Sequence, residues 1–407
     1  MKLLRCMILS IILASGCRAD DNEPGRGERA PVLSGLDVLV EEGFATLEGA
    51  KVGVITNHTG VDRYGRSIIE IFSRCDKFQL EAVFSPEHGL KGIIEGEFSS
   101  QYLENSGIPV YSLYGRERKP GPEWLRGLDA LVFDIQDIGT RFYTYITTMA
   151  LCMQAAAGQG ITFYVLDRPN PVGGLAVEGP VVEKKLRGDF IAYYPIPVRH
   201  GMTVGELALL FNREFGIGAK LEVIRMKGWR RAMYYDDTGM QWTDPSPNMR
   251  SLEAAILYPG LGISEAANLS VGRGTGLPFE IYGAPYVDGS LLARELNSAA
   301  VAGIEFRDTL FVPKSHKFEG MRCEGVRAVV TARDSLQSLR AGMHFLSALC
   351  RLYPGTFEMN RIERWIGRVD VKKKLAEGEL ADTIVASWGS ELEEFKKLRK
   401  KYLLYQN

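Results

Sequence analysis

No serine of this sequence stands in a strand-to-helix nucleophile elbow, no His-Glu-x-x-His pair is present, and no glycine-rich phosphate loop ending in Lys-Ser or Lys-Thr occurs. The chemistries tied to those motifs drop out with them. An excess of charge of one sign is missing too: 49 Lys and Arg stand against 50 Asp and Glu, so bulk electrostatics offer nothing to a nucleic acid. Cysteine is scarce, with six in 407 residues and no Cys-x-x-Cys pair to suggest a zinc or dithiol site. Cys75, Cys152, Cys323 and Cys350 lie far apart in mostly apolar surroundings and read as buried thiols. Beyond the first twenty residues no apolar run is long enough to cross a bilayer.

What is present is a globular composition, 45% hydrophobic and 24% charged, in a chain too long for one ordinary core. Residues 1–17 read as an export segment. Lys2 and Arg5 supply a positive start, Met7 to Ala14 an apolar stretch shorter than a membrane span, and Leu13-Ala14-Ser15-Gly16-Cys17 a lipoprotein-type site with alanine where leucine is usual. Such a chain is lipidated at Cys17 and held on the periplasmic side of a bacterial envelope by that anchor alone; ordinary secretion is the alternative. Residues 18–34 are polar, with Gly and Pro, and read as a tether.

Four short apolar runs then each end in a polar cluster. Lys51 to Thr56 leads into Asn57 and His58, and Leu80 to Phe84 into Ser85-Pro86-Glu87-His88-Gly89. Leu128 to Phe133 leads into Asp134, Gln136 and Asp137, and Ile161 to Leu166 into Asp167, Arg168 and Asn170. The third run has no polar face, which suits a parallel strand buried on both sides. Past Gly139 and Thr140, the spacing of Tyr145, Met149, Cys152 and Ala156 predicts a helix packing back on it. The intervals leave room for crossover helices. The expected fold is α/β: a Rossmann-like, mostly parallel sheet over residues 35–280, which collects the polar clusters on the edge where such sheets bind ligands. Residues 281–407 read as a smaller α+β auxiliary domain, with helices at Leu291 to Ala300 and Ser338 to Leu352 and a strand at Val326 to Thr331. His316 and His344 in that part read as structural or surface residues.

The connecting stretches carry further candidates. Glu178 lies in a segment flanked by Gly and Pro, and Tyr193 to Val198 leads to Arg199, His200 and Gly201. Thr203 with Glu206 three residues later is a capping box, so Glu206 reads as a helix cap. Ser246 to Glu280 is loop-rich, and loops of that length are usually functional. Gly272, Gly274 and Gly276 imitate part of a dinucleotide fingerprint, but Pro278 follows where a helix should begin. They read as a loop that carries Arg273 to the site, and no nucleotide cofactor is expected.

The sheet edge therefore offers carboxylates (Glu87, Asp134, Asp137, Asp167, Glu178), amide and imidazole groups (Asn57, His58, His88, Asn170, His200), Arg141, Arg168 and the phenols of Tyr143 and Tyr145. This mixture fits a polyhydroxylated ligand, with carboxylates available for general acid and base work. Asp134 and Asp137 are also hard oxygen donors that can hold a divalent ion, which makes a metal-dependent hydrolase a competing class. Asp134 can equally cap the helix that follows, and Asp167 can pair with Arg168. A binding protein that holds its ligand without cleaving it would use the same edge.

Eight ordered motifs narrow the choice: TNHTG at Thr56, SPEHG at Ser85, FDIQDIGTRFYTY at Phe133, LDRPNP at Leu166, VEGP at Val177, PVRHGMTVGEL at Pro197, SPNM at Ser246 and NLSVGRGT at Asn268. Together they resemble the exo-β-N-acetylmuramidase family of the NamZ type, glycoside hydrolase family 171, over nearly all of the chain beyond Gly35. The resemblance implies a Rossmann-like catalytic domain with an auxiliary domain, and removal of N-acetylmuramic acid from the non-reducing end of peptidoglycan fragments in cell-wall recycling. Where the family often has EGTN, this chain has Glu265-Ala266-Ala267-Asn268. Glu87 and Glu178 are the candidates for the acid/base pair, since neither has an evident cap or ion-pair role. Arg141, Arg168 or Arg273 would meet the lactyl carboxylate of muramic acid, and Tyr143 or Tyr145 would cover a sugar face. Asn57, His58, His88, Asp134, Asp137, Asp167, Asn170 and His200 complete the expected substrate-binding set. No metal or cofactor is expected, and peptidoglycan-derived saccharides are the only partners.

Overall fold

A computed structural model describes residues 31–92, 101–103 and 106–407. The export segment, Cys17 and most of the tether lie outside the described residues. The last tether residues are held in place: Val32 N donates to Thr238 O, and Leu33 bridges Lys227. Ser34 then caps the helix Gly35–Glu41 in a reciprocal box with Asp37.

The apolar runs build a seven-stranded sheet of β1 (Lys51–Thr56), β2 (Gln79–Ser85), β3 (Gln101–Tyr102), β4 (Pro109–Ser112), β5 (Ala130–Asp134), β6 (Thr162–Leu166) and β7 (Lys220–Ile224), in the order β3-β4-β2-β1-β5-β6-β7. Only β3 is antiparallel to its neighbour. Without that short edge strand the order is that of doubly wound nucleotide-binding folds, whose switch point falls between β1 and β5. The polar residues after β1, β2, β5 and β6 accordingly meet on one edge. β5 is buried along its whole length, with Leu131 and Phe133 in one core and Ala130 and Val132 in the other. Burial on both faces is why this run has no polar alternation.

A second, antiparallel sheet has the order β8-β10-β9, with β8 at Ile281–Ala284, β9 at Ile304–Phe311 and β10 at Cys323–Val330. With the helices Gly289–Ser298 and Ser338–Leu352 it forms the smaller α+β part. β9 is invisible to an apolar-run reading because it is an edge strand whose middle, around Arg307 and Asp308, is exposed. Tyr282, Val326, Leu339 and Phe345 share one continuous core with Phe133, Met149 and Phe163. The helix Leu252–Leu261 packs closely on Ser338–Leu352: Gly260 N donates to Ser338 Oγ at 2.9 Å, and a Cβ on Gly260 would sit 1.7 Å from Ser338 O. Cys75, Cys152, Cys323 and Cys350 are free; Cys152 and Cys323 are buried, the other two half-buried.

Candidate active site

Glu87 is carried past the end of β2 by Pro86 and opens into a cavity of about 240 Å³. Thr144 stands at the start of the helix Tyr145–Gln159 without capping it; its hydroxyl donates to Glu87 Oε2 at 2.6 Å instead. Glu87 Oε1 makes no hydrogen bond among the described residues. One oxygen is thus oriented and the other is available to a ligand. Phe142, Tyr143, Tyr258, Phe279 and Trp365 line the cavity, and they pack edge to face or tilted, with Phe142 4.9 Å from Trp365 and Tyr258 4.7 Å from Phe279. Two non-glycine residues of this wall, His88 (φ 73°) and Phe279 (φ 62°), sit in the left-handed region, where strain is tolerated at functional sites.

The second carboxyl of the cavity is Glu265, which accepts from Arg273 at 2.6 Å. Burial pushes the Glu265 carboxyl above its ordinary range; Arg273 and Lys317 oppose that, and the field of Glu87 reinforces it. Lys317 Nζ donates to the carbonyls of Glu265 and Ala267, which ties down the loop. Gly272 (φ 78°) and Gly274 (φ 79°) turn the chain on either side of Arg273, and no helix follows before β8. The glycine-rich stretch is therefore a delivery loop for Arg273. Glu265 itself was missed in the sequence reading. Its signal is its place at the motif that departs from the family pattern, in a 3-10 turn (Gly262–Ala266) directly after the helix Leu252–Leu261.

Glu178 does not reach this cavity, and its expected acid/base role is corrected. Its Oε1 pairs with Arg199 at 2.7 Å and its Oε2 accepts from Leu339 N at the start of the helix Ser338–Leu352. It has the cap and the ion pair that the sequence did not reveal. Asp134 is likewise consumed: Arg168 closes on it in a bidentate pair at 2.5 and 2.9 Å, with both side chains buried. That corrects the substrate role of Asp134 and the Asp167–Arg168 pairing together, and it takes Asp134 out of any metal-ligating pair with Asp137. Among the described residues no cluster of three or more Asp, Glu, His and Cys side chains is placed to hold a metal ion.

The remaining candidates hold the edge together. Asp167 accepts from Arg168 N, Gly205 N, Thr203 Oγ1 and Tyr405 OH, and burial pushes its pKa up to about 7. Asp137 accepts from Gly139 N, where φ 79° calls for glycine, and burial likewise pushes it up to about 7. His200 Nε2 lies 3.9 Å from Asp137, and burial with the fields of Arg399 and Arg141 brings the imidazole down to about 3. Asn57 accepts from Thr59 and donates to Tyr145 OH; Tyr145 OH in turn donates to Pro245 O. Asn170 braces Met202 O and Val172 N, and His58 meets Asp244 O at 2.6 Å. Arg141 is buried without a carboxylate partner and donates to the carbonyls of Pro180, Ile196 and Trp365, so it positions the Trp365 wall rather than a substrate anion. Glu206 is the expected cap of the helix Val204–Glu214, and it also pairs with buried Arg231. Of the expected site residues, Glu87, His88, Tyr143 and Arg273 line the cavity.

Models of the exo-β-N-acetylmuramidase NamZ N-terminal and C-terminal regions match residues 52–253 and 256–405. The chain belongs to the NamZ family. It is 42% identical over 404 residues to the peptidoglycan β-N-acetylmuramidase NamZ of Bacillus subtilis (strain 168), spanning 98% of this chain and 97% of that one. Two crystal structures of DUF1343 family proteins from Bacteroides fragilis NCTC 9343 have the same fold, with TM-scores of 0.87 and 0.76 at 35% and 30% identity; each alignment covers 93% of this chain and 100% of theirs. The cavity draws on both NamZ regions. Glu87 and Tyr143 come from the N-terminal one, and Tyr258, Glu265, Arg273 and Trp365 from the C-terminal one.

Proposed function

We propose that this NamZ-family chain is an exo-β-N-acetylmuramidase that releases N-acetylmuramic acid from the non-reducing end of peptidoglycan fragments, with Glu87 as its acid/base carboxyl. The chain is a glycosidase by family. The observation that carries the role of Glu87 is its arrangement: one oxygen held by Thr144, the other without a partner, in a cavity walled by aromatic rings. Glu87 protonates the leaving glycosidic oxygen, and the rings cover the apolar face of the sugar. Arg273 supplies the cation that a lactyl carboxylate needs, and its pairing with Glu265 keeps it at the cavity wall. Incubating the protein with muramic acid-terminated fragments and following the products by mass spectrometry tests the reading. Free N-acetylmuramic acid with a correspondingly shortened fragment is expected; retention of intact fragments would make the protein a muropeptide-binding protein instead.

The site works on material of the cell envelope, and the lipoprotein-type motif at Cys17 supports an anchored location. Metabolic labelling with a clickable fatty acid is expected to mark the wild type and spare Cys17→Ala. An unlabelled wild type would leave a secreted enzyme without an anchor.

A further inference from the structure

A cavity of about 650 Å³ holds none of the residues assigned to the reaction. It opens at the switch point of the sheet, between Thr59 after β1 and Gln136 after β5, with Arg168 after β6 at its side. This is where doubly wound sheets bind ligands. Thr243 belongs to its lining and Ser246 to that of the Glu87 cavity. Three residue steps separate those two positions, so their Cα atoms lie at most about 11 Å apart. The two linings therefore approach each other along one short segment.

Two buried side chains of this lining are incompletely used. Gln136, 3% exposed, donates through Nε2 to the carbonyls of Asp137 and Pro169, which identifies Oε1 as its acceptor end; Oε1 has no partner. Arg168, 2% exposed, commits Nε and Nη2 to Asp134 and Val61 O, and its Nη1 makes no hydrogen bond among the described residues. At the mouth, Tyr64 keeps 69% of its surface open although the guanidinium groups of Arg63 and Arg66 lie over its ring, 5.0 and 5.4 Å from the centroid, so a sugar stacking there would have to share the ring with them. The charges here are already compensated: Arg168 by Asp134, Asp62 by Arg66 and Arg63 by Glu41. A phosphate or carboxylate ligand would find no uncompensated cation. A neutral ligand with one amide donor and one amide acceptor would satisfy both free groups, and an apolar ring face would suit Tyr64.

We propose that this cavity is a second saccharide site, which takes a neutral N-acetylhexosamine of the glycan through its acetamido group and stacks a sugar ring on Tyr64. The inference rests on the glycosidase reading for its ligand class. The site retains the portion of the chain beyond the sugar being removed, and so raises affinity for polymer without touching the chemistry.

The test is calorimetric titration with the β-1,4-linked tetramer of N-acetylglucosamine, which carries no muramic acid, alongside turnover of a chromogenic muramic acid glycoside. Binding to the wild type is expected, with affinity lowered about fivefold in Tyr64→Ala, the scale of one aromatic contact. Gln136→Leu is expected to lower it further, and Arg273→Ala to leave it unchanged. Tyr64→Ala should turn over the chromogenic glycoside at the wild-type rate, since Tyr64 lies outside the Glu87 cavity. Equal affinity in Tyr64→Ala and wild type, or no binding by a wild type that is active on the glycoside, would overturn the second site. A wild type inactive on the glycoside would sink the glycosidase reading, while the titration still decides this one.

Discussion

The loops after β6 and β2 begin with similar chemistry and end in different employment. After β6, the Asp167 carboxylate accepts four hydrogen bonds, two from backbone N–H groups, and Arg168 closes on Asp134. After β2, the Glu87 carboxylate accepts one, from Thr144. The difference is local donor supply. The β6 loop runs beside the start of the helix Val204–Glu214 and the chain's final residues, which carry unsatisfied N–H and O–H groups, and a buried carboxylate there is drawn into folding. Around the β2 loop, the Thr144 hydroxyl is the donor that reaches Glu87 among the described residues, and the hydroxyl and indole donors of the surrounding rings make no hydrogen bond to it, so one carboxylate oxygen stays open to a ligand.

Substitutions on the two sides should separate along those lines. The largest effect is expected for Asp134→Asn, which leaves Arg168 buried without its charge partner. Stability measured by urea unfolding should fall by about 3–5 kcal/mol, the usual cost of breaking a buried pair, while molecules that remain folded keep their turnover. Glu87→Gln should do the reverse, with turnover of a chromogenic muramic acid glycoside down about a hundredfold or more and the melting temperature nearly unchanged. Glu178→Gln belongs with the first kind despite being a glutamate near the edge, because Arg199 and Leu339 N occupy it. A hundredfold loss of turnover in folded Glu178→Gln would erase the contrast between the two sides.

A smaller change should sharpen the substrate side. Arg273→Ala is expected to raise KM about tenfold for the muramic acid glycoside and far less for an N-acetylglucosamine analogue without the lactyl carboxylate, in line with one lost charge-assisted hydrogen bond. Equal effects on both substrates would move the anion contact elsewhere.

The smallest expected effect is a pH slope on the structural side. Burial raises Asp137 from the usual 3.8 to about 7, so the folded state keeps a proton that the unfolded state loses earlier. That contribution is complete below pH 3.8 and declines as pH rises towards 7, by about 1 kcal/mol per pH unit in the middle of the window. His200, lowered to about 3, acts in the opposite sense between pH 3 and 6.5, so the wild-type curve alone mixes the two. The difference in unfolding free energy between wild type and Asp137→Asn, followed from pH 4 to 8, reports Asp137 together with its coupling to His200 3.9 Å away, and above pH 6.5, where His200 is neutral in both states, Asp137 alone. A flat difference would mean that Asp137 is ionised in the fold throughout.

Sequence alone determined the four strands β1, β2, β5 and β6 and the edge they share, whereas the short strands β3 and β4 and the exposed edge strand β9 left no apolar run to read. Short apolar runs ending in polar clusters can form a parallel sheet in few ways, and the two-sided burial of Leu131 and Val132 is written in the uninterrupted apolar stretch Ala130 to Phe133. The Thr203–Glu206 box was legible for the same reason, since a cap is a contact between neighbours in the chain. The motifs were enough to indicate the family. Tertiary structure decided which carboxylate is free. Glu178 is occupied by Leu339, 161 residues away, and Asp134 by Arg168, 34 residues away, while Glu265 reaches the cavity of Glu87 on the 3-10 turn Gly262–Ala266 of the other NamZ region. Hydrogen bonds and ion pairs at such separations leave no periodic trace in a sequence, because each depends on where packing brings two distant segments together.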